Sequence, residues 1–560
     1  MGFNKWTGLA LFAAMAALFL IANRGASRGF FQADELDSIS WTPHTALAVF
    51  AADLASPVYN ARNFRPVGHF YFRVMSRAFG LDFSRYLPPL HLVHLLNVWL
   101  LWLVLRRLGA SHYAASAGAL FFAFHMAVFD VYWKPMYAFD LFCATFCLLS
   151  MLAWIERRWV LSFGAFWLAY KSKEPAVMLP AVLACYELWL GSRRWRPLVP
   201  FFLVSISFGL QGILRNPNHG NQYAFHFTLA ALAASTSFYA RALVVAPLLP
   251  MLVLVWRDRR AWLGLATAAL FCAPLLLLPG RLFSAYCYLP LTGVAMVFAA
   301  LASMRHGFLA AVFLAAWLPW NYLALRHYRV DKLARDADTR AYVAQLQNAA
   351  PSLARIPVFI YRGLPPGLPQ WGANSVLHYL LGDHGAALYA SDDPSAEALL
   401  QCPAVATLTW DERCRKLWIA ARTPETPDAT YLTMNERTPP WQLTGGWYGL
   451  ENGYRWTAPE ASARLYRAPR ATTFELVLNV GAQLLGAKGH ADCSVRLNGA
   501  PLGKARVTEP GIRILRWPLP PGPPGTVEAE LQAGPLRAPG ADSRTLGLAV
   551  ISFGFLPSGR

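Results

Sequence analysis

"ERRWVLSFGAFWLAYKSKEPAVMLPAVLACYELWLGSRR", Glu156 to Arg194, contains two apolar runs, Trp159 to Tyr170 and Ala176 to Leu190, separated by "KSKEP". Each is short for a bilayer crossing, which takes on the order of 20 residues. Basic clusters close both outer ends, and Lys and Arg gather in the short loops on the cytoplasmic side. The two runs therefore read as a hairpin whose tip, Lys171, Ser172, Lys173 and Glu174, points outward. Lysines at an outer tip run against the positive-inside trend. They call for an anionic partner: a bound phosphate or carboxylate, or an internal ion pair of Lys173 with Glu174 or an Asp.

Similar apolar runs recur from Leu9 to about Leu325, with basic clusters at Arg106-Arg107, Arg157-Arg158, Arg193 to Arg196, Arg257 to Arg260 and Arg305 in every second turn. Placing these clusters and Lys5 inside predicts about eleven spans, a cytoplasmic N-terminus, and an extracytoplasmic position for everything after Leu325. Composition agrees. The chain is 56% hydrophobic, with 21 Trp and only 14% charged residues, where soluble proteins carry about 25%. The first run, Leu9 to Ala22, precedes "ANRG", which lacks a small-x-small cleavage site, so it reads as a retained signal anchor. The net charge of +19 is accounted for by loop topology, so no nucleic-acid partner is expected. The partner is the lipid bilayer, with its anionic head groups.

Cys143, Cys147, Cys185 and Cys272 lie in apolar runs as small buried hydrophobes. Outside, Cys402 and Cys414 are placed to close a loop in an oxidising compartment, which leaves Cys493 over. No Cys/His spacing suggests structural zinc.

The outward turns form a set. The first, from about Asn23 to Leu90, holds Asp34, Glu35 and Asp37 in "ADELD", and Arg62, Arg65 and His69 in "RNFRPVGHFYF". The second, "HMAVFDVYWKPMYAFD", holds His125, Asp130, Lys134 and Asp140. Later turns offer Arg215, His219 and His226, then Arg281, Tyr286 and Tyr288 in "GRLFSAYCYLPLTG". Acids come early and cations later. Such a division suits a site that holds a phosphate leaving group on Arg and Lys while a carboxylate takes the proton of an incoming hydroxyl.

At these residues the sequence resembles the GT-C superfamily of polytopic glycosyltransferases, nearest to the protein O-mannosyltransferase branch and its relatives with tetratricopeptide tails. The family's first-loop acid pair is matched by Asp34-Glu35, its Arg-Pro element by Arg65-Pro66, and its His/Asn-rich second helix loosely by His91, His94 and Asn97. Its second-loop His and acids fall on His125, Asp130 and Asp140, and its "SKE" with a following Pro helix on Ser172-Lys173-Glu174 and Pro180. "YCYLPLTG" after Arg281 is similar to its late Tyr-x-Tyr-Leu-Pro element. The likeness covers roughly residues 30 to 300. Met126 and Val128 replace the family's Pro and second His, Asp130 its Glu, and no tetratricopeptide period follows.

The resemblance implies a GT-C-like catalytic domain over residues 1–325 in the (inner) cell membrane, moving a hexosyl-type sugar from a polyprenyl-phosphate donor to a hydroxyl on a protein, glycan or lipid. Asp34 would be the base and Glu35 its support, or the reverse. Lys173 and Arg281 would hold the phosphate, with Arg65 in a lesser part, and Tyr286 and Tyr288 would line the sugar or lipid pocket. Asp130, Glu174 and His125 would contact the acceptor or complete a divalent-metal site, though the sequence requires no cofactor. Structural roles stand beside these: Asp37 as a helix cap or surface acid, Asp140 as a partner of Lys134, His91 and His94 as interhelical hydrogen-bonders. A transporter or flippase would show internal hydropathy repeats, and none is found. A glycan-binding sensor leaves the acid pair unexplained.

The exterior reads as two pieces. Over 326–427, a helix from Arg326 to Ala349 precedes a small α/β segment with strands in "PVFIYR", "AALYAS" and "AVATLTW" and a helix around Gly372 to Leu381. Over 428–560, short β-type runs with turn signals predict an antiparallel, jelly-roll-like β-sandwich. It resembles the carbohydrate-binding-like modules appended to some sugar transferases, through "GGWYGLENGYRW", "VRLNG" and "DSRTLGLAV". Its Trp-rich stretch reads either as a sugar platform or as core, and Trp447 and Trp456, in or beside strand-like segments, favour core.

Overall fold

The computed structural model describes residues 5–58, 64–215, 222–243, 249–305, 307–382, 385–481, 485, 489–537 and 543–557. The chain divides into two compact units, 1–340 and 341–560.

The first unit is helical. Its helices are α1 (Lys5–Asn23), α2 (Ala33–Trp41), α3 (Leu47–Ala55), α4 (Pro66–Phe79), α5 (Phe83–Arg107), α6 (His112–Ala123) and α7 (Ala138–Ile155). There follow α8 (Trp159–Ser172), α9 (Leu179–Trp189), α10 (Val199–Leu214), α11 (Leu229–Leu243), α12 (Arg259–Leu276) and α13 (Tyr288–Ala302). The 46-residue α14 (Phe308–Leu353) carries the chain into the second unit. Among the described residues six helices are long and apolar enough to cross a membrane, or seven if the pair His112–Ala123 and Met126–Tyr132, bent by 68°, counts as one span. The chain is a multi-pass membrane protein, but the expected eleven spans are not reached by this count. The physical reason is length: at 1.5 Å per residue, α8 and α9, with 14 and 11 residues, reach about 21 and 17 Å, short of a hydrocarbon core of about 30 Å. A short break separates them, with Lys173 extended at the end of α8 and Pro175 opening the next turn.

α13 packs at the centre, with nearly every side chain buried. Two glycines let α12 approach it: a Cβ on Gly293 would collide with the Gly264 carbonyl and the Ala268 amide. Small residues at such crossings are how helices pack in lipid, where backbone proximity replaces the hydrophobic drive of water. α10 instead leaves Leu203, Ile206, Leu210 and Ile213 exposed on one face, as a lipid-facing helix does.

The second unit opens with a four-stranded sheet of β1 (Val358–Arg362), β2 (Ala387–Ala390), β3 (Val405–Asp411) and β4 (Lys416–Arg422), in the order β2-β1-β3-β4. β1 runs parallel to β2 and β3, and α15 (Gln370–Leu381) makes the right-sized crossover between β1 and β2. The short α16 (Ala396–Leu399) follows β2. The helix expected from Arg326 to Ala349 is the latter part of α14.

The remaining strands are β5 (Tyr431–Thr433), β6 (Gly445–Glu451), β7 (Tyr454–Arg467), β8 (Ala471–Val480), β9 (Ala491–Leu497) and β10 (Ala500–Val507). They continue with β11 (Gly511–Pro518), β12 (Gly525–Ala533), β13 (Leu536–Arg537), β14 (Thr545–Leu546) and β15 (Ala549–Pro557). Apart from the β13–β14 pair, they form one nine-stranded antiparallel sheet, β10-β9-β12-β7-β15-β8-β11, with β5 on β15 and β6 on β7. The expected two-sheet sandwich is thus corrected to one continuous sheet curled over its core. Phe474, Leu476, Leu478, Val495, Leu531, Phe553 and Phe555 fill that core, and Gly503 of β10 lies against Trp517 of β11, bringing the two end strands together. Trp456 is buried there and Trp447 stacks on Phe553 at 5.4 Å, so both belong to the core. All eight cysteines are free, so the expected Cys402–Cys414 bridge is not made. Cys414 is exposed, Cys185 and Cys402 are half-buried, and the other five are buried.

Candidate active site

α2 begins at an N-cap, Gln32, and Glu35 three residues on returns its carboxylate to the Gln32 N–H. This capping box fixes which face of the helix turns inward. Glu35 is fully buried and also accepts from the Met136 N–H at 3.2 Å. Burial pushes its carboxyl up to about 7 against those two hydrogen bonds. With Glu35 turned in, helical spacing sends Asp34, Asp37, Ser38 and Trp41 to the other side. All four line a cavity of about 720 Å³, which lies in the range of small-molecule sites, roughly 300–1,000 Å³.

The cations reach the same cavity from three other segments. Arg65 is the extended N-cap of α4, where Pro66 at the first helical position needs no N–H partner. Its guanidinium makes a bidentate pair with Glu174, 2.8 and 3.1 Å. Burial opposes charge on Glu174, and Arg65 nonetheless holds that carboxyl below its ordinary range. The Arg65 N–H donates to His69 Nδ1 at 2.9 Å, and burial, reinforced by Arg65, pushes the imidazole down to about 3. His69 is therefore neutral, with its proton assigned to Nε2.

Lys173, at the hairpin tip, sits 2.7 Å from both oxygens of Asp140 in the first turn of α7. The internal ion pair is thus made, with Asp140 as partner; Lys134 instead pairs with Asp130 at 3.6 Å. Lys173 also lies 4.4 Å from the centre of the Tyr286 ring, whose hydroxyl accepts from Arg281 Nη2 at 2.8 Å. Arg281 is flanked by the Tyr223 and Phe283 rings at 4.4 and 4.8 Å. Its buried Nε has no hydrogen-bond partner, and among the described residues no carboxylate stands within ion-pair distance of it.

Asp34, Arg65, Lys173, Arg281 and Tyr286 thus line one cavity. Glu35 supports it from behind, and Glu174 acts on it through Arg65. The other site residues named from sequence lie elsewhere. Tyr288 is buried in a polar knot, 2.8 Å from His94 Nδ1 and 3.1 Å from Asn97 Nδ2. His125 accepts the Ala127 N–H at 3.2 Å and packs between Phe121 and Trp317. Asp130 faces Lys134 and the Tyr328 hydroxyl, 3.4 Å away. Arg62 and His219 lie outside the described residues. Among the described residues no group of three or more His, Cys, Asp or Glu is placed to hold a metal ion. Asp37 is exposed, as a surface acid would be, and it also lines the cavity with Trp41, Thr45 and Asp53. The i, i+3, i+4, i+7 spacing of Asp34, Asp37, Ser38 and Trp41 was the signal for two of these, Asp37 and Trp41.

No protein-family model matches the chain, and no curated protein does. Two kinds of solved structure are similar to it. ArnT from Cupriavidus metallidurans, in a crystal structure bound to undecaprenyl phosphate, is 15% identical, over 73% of this chain and 94% of that one, with a TM-score of 0.41. The arabinofuranosyltransferase AftD from Mycobacteria is 13% identical, over 98% of this chain and 60% of that one, with a TM-score of 0.45. This chain thus spans about three fifths of AftD's length, and likeness at these values carries no argument about activity.

Proposed function

We propose that this protein is an integral-membrane glycosyltransferase of the GT-C type, moving a sugar from a polyprenyl-phosphate donor to a hydroxyl acceptor at the outer face of the membrane. One observation carries the reading: an exposed carboxylate, Asp34, shares a cavity at the end of membrane helices with three cations, Arg65, Lys173 and Arg281. Asp34 takes the acceptor proton as the acceptor oxygen bonds to the sugar's anomeric carbon. The bond from that carbon to the phosphate oxygen breaks on the opposite side, with inversion, and the phosphate leaves with the electron pair. Arg281 is the principal phosphate ligand, because among the described residues no carboxylate stands within ion-pair distance of its guanidinium, and preorganised charge acts most strongly where charge develops. Lys173, already neutralised by Asp140, orients Tyr286 and adds a weaker contact. Glu35 positions Asp34 by capping α2.

In this reading residues 1–325 form the catalytic domain, 326–427 a linker and α/β segment, and 428–560 a carbohydrate-binding-like module, with everything beyond Leu325 extracytoplasmic. The order of motifs is similar to that of the O-mannosyltransferase branch. The test is incorporation of radiolabelled sugar from a polyprenyl-phosphate-sugar donor by the purified protein, with transport across vesicles measured in parallel. Transport without incorporation would replace the enzyme with a flippase.

A further inference from the structure

The lining of the cavity sorts by chemistry. Arg65, Lys173 and Arg281 come from α4, the hairpin tip and the loop before α13, whereas α2, α3 and the turn between them supply Asp34, Asp37, Ser38, Trp41, Thr45 and Asp53. Transfer needs the cations and Asp34, and leaves the rest of the acid-rich set without a task.

That set has a recognisable recognition chemistry. Asp37 and Trp41 stand one helical turn apart on the face that carries Asp34, the indole Nε1 donating to Asp37 at 3.4 Å. Asp37 is exposed, and Trp41 is half-buried against His69 at 4.9 Å. The Ser38 hydroxyl is occupied by the Asp34 carbonyl at 3.0 Å, so carboxylates and an indole face an incoming group. An ionised carboxylate has two oxygens and accepts from two neighbouring hydroxyls at once, and an aromatic ring gives an apolar platform with a polar edge. Together these fit a sugar ring, with vicinal hydroxyls on one edge and a C–H face. Asp53 is ion-paired with Lys171 at 3.7 Å, so Asp34 and Asp37 are the carboxylates of this wall whose charge disfavours a phosphorylated or acidic acceptor. Peptides are captured chiefly through main-chain hydrogen bonds to a strand edge or through side-chain pockets, whereas this wall offers carboxylates.

Resting on the transferase reading, we propose that the acceptor is an uncharged glycan end, held by Asp37 through paired hydroxyls and by Trp41 under its ring, which presents the neighbouring hydroxyl to Asp34. Asp37 is then a substrate-binding residue that sets acceptor class, and the protein acceptor of the O-mannosyltransferase branch is not the one this wall selects.

The test uses the full-length protein in detergent with a fluorescent C-terminal fusion, applied to an array of neutral oligosaccharides, uronic-acid oligosaccharides and Ser/Thr-rich peptides. Binding of a short-chain polyprenyl phosphate is titrated separately. The expected result is retention on neutral oligosaccharides, weakened about tenfold or more by Asp37→Asn, as loss of hydrogen bonds to a charged group implies, and partly restored by Asp37→Glu. Polyprenyl phosphate affinity stays the same in both variants. Preferential retention on peptides or uronic acids, no retention on neutral oligosaccharides, or neutral-glycan binding indifferent to Asp37→Asn would overturn the proposal. Polyprenyl phosphate binding indifferent to Arg281→Ala is a separate outcome: it removes the transferase reading and leaves the glycan site standing.

Discussion

Three acids within four positions, Asp34, Glu35 and Asp37, have three different surroundings. Asp34→Asn keeps shape and hydrogen bonding and removes the proton acceptor, so turnover should fall by about 10²–10⁴, the usual worth of a general base. Donor binding should survive, because the phosphate contacts lie on other segments. Wild-type turnover in Asp34→Asn would end the base assignment. Glu35 is tested by pH. Its folded pKa, about 7, lies above its ordinary value of 4.5, so between those values the folded protein keeps a proton that the unfolded chain gives up. Stability is therefore lost as pH rises through that window. Relative to Glu35→Gln, the wild type should lose up to roughly 3 kcal/mol between pH 4.5 and 7.5, read from unfolding midpoints in detergent; a pH-independent difference would contradict burial of an ionisable Glu35. Among the cations, Arg281→Ala should raise the donor KM by about tenfold or more, and Lys173→Ala by less, because Asp140 already holds the Lys173 ammonium at 2.7 Å. The reverse order would make Lys173 the main phosphate ligand.

Elements were legible where one local rule decided them, and less so where a partner decided. The break between α8 and α9 was readable from "KSKEP" between two apolar runs, and the Arg-Pro start of α4 from its Pro. The span count was not readable, because alternating charge clusters count turns and say nothing about whether the helices between them are long enough to cross. Asp34, Arg65, Lys173, Arg281 and Tyr286, picked from turns that the charge pattern assigns to one side, line one cavity. Tyr288 was misread: two residues beyond Tyr286, at the start of α13, it is turned into the bundle towards His94 and Asn97. The Gln32-x-x-Glu35 spacing was a sign that Glu35 faces inward, and the helical period from Asp34 to Trp41 a sign that Asp37 does not. The two-sheet expectation failed because strand patterning fixes which side chains are buried, not whether the sheet breaks or curls. Helix packing carries its own prediction: Gly293→Ala must push α12 from α13 and should cost about 1–3 kcal/mol, as overpacking does. A thermal unfolding temperature unchanged by that substitution would mean the close approach is not kept in the membrane.

At the scale of the whole molecule the decisive question is sidedness. In a Cys-reduced background, a Cys placed at Ser391 should react with an impermeant maleimide on intact cells, and one placed at Pro175, part-exposed beside the tip, should share that side. Protection of the Ser391 site until lysis would invert the topology and remove the outer-face mechanism with it. The native chain also carries a reporter of its own. Cys414 is the exposed one of eight free thiols, so unmodified protein should take up one fast-reacting label, and that label alone marks the second unit. The same thiol, free and exposed, can be oxidised by dissolved oxygen to a disulfide with a second copy. Purification without reductant should therefore yield a covalent dimer on non-reducing gels, abolished by Cys414→Ser, and oligomeric state measured without that control would count a chemical accident as an assembly.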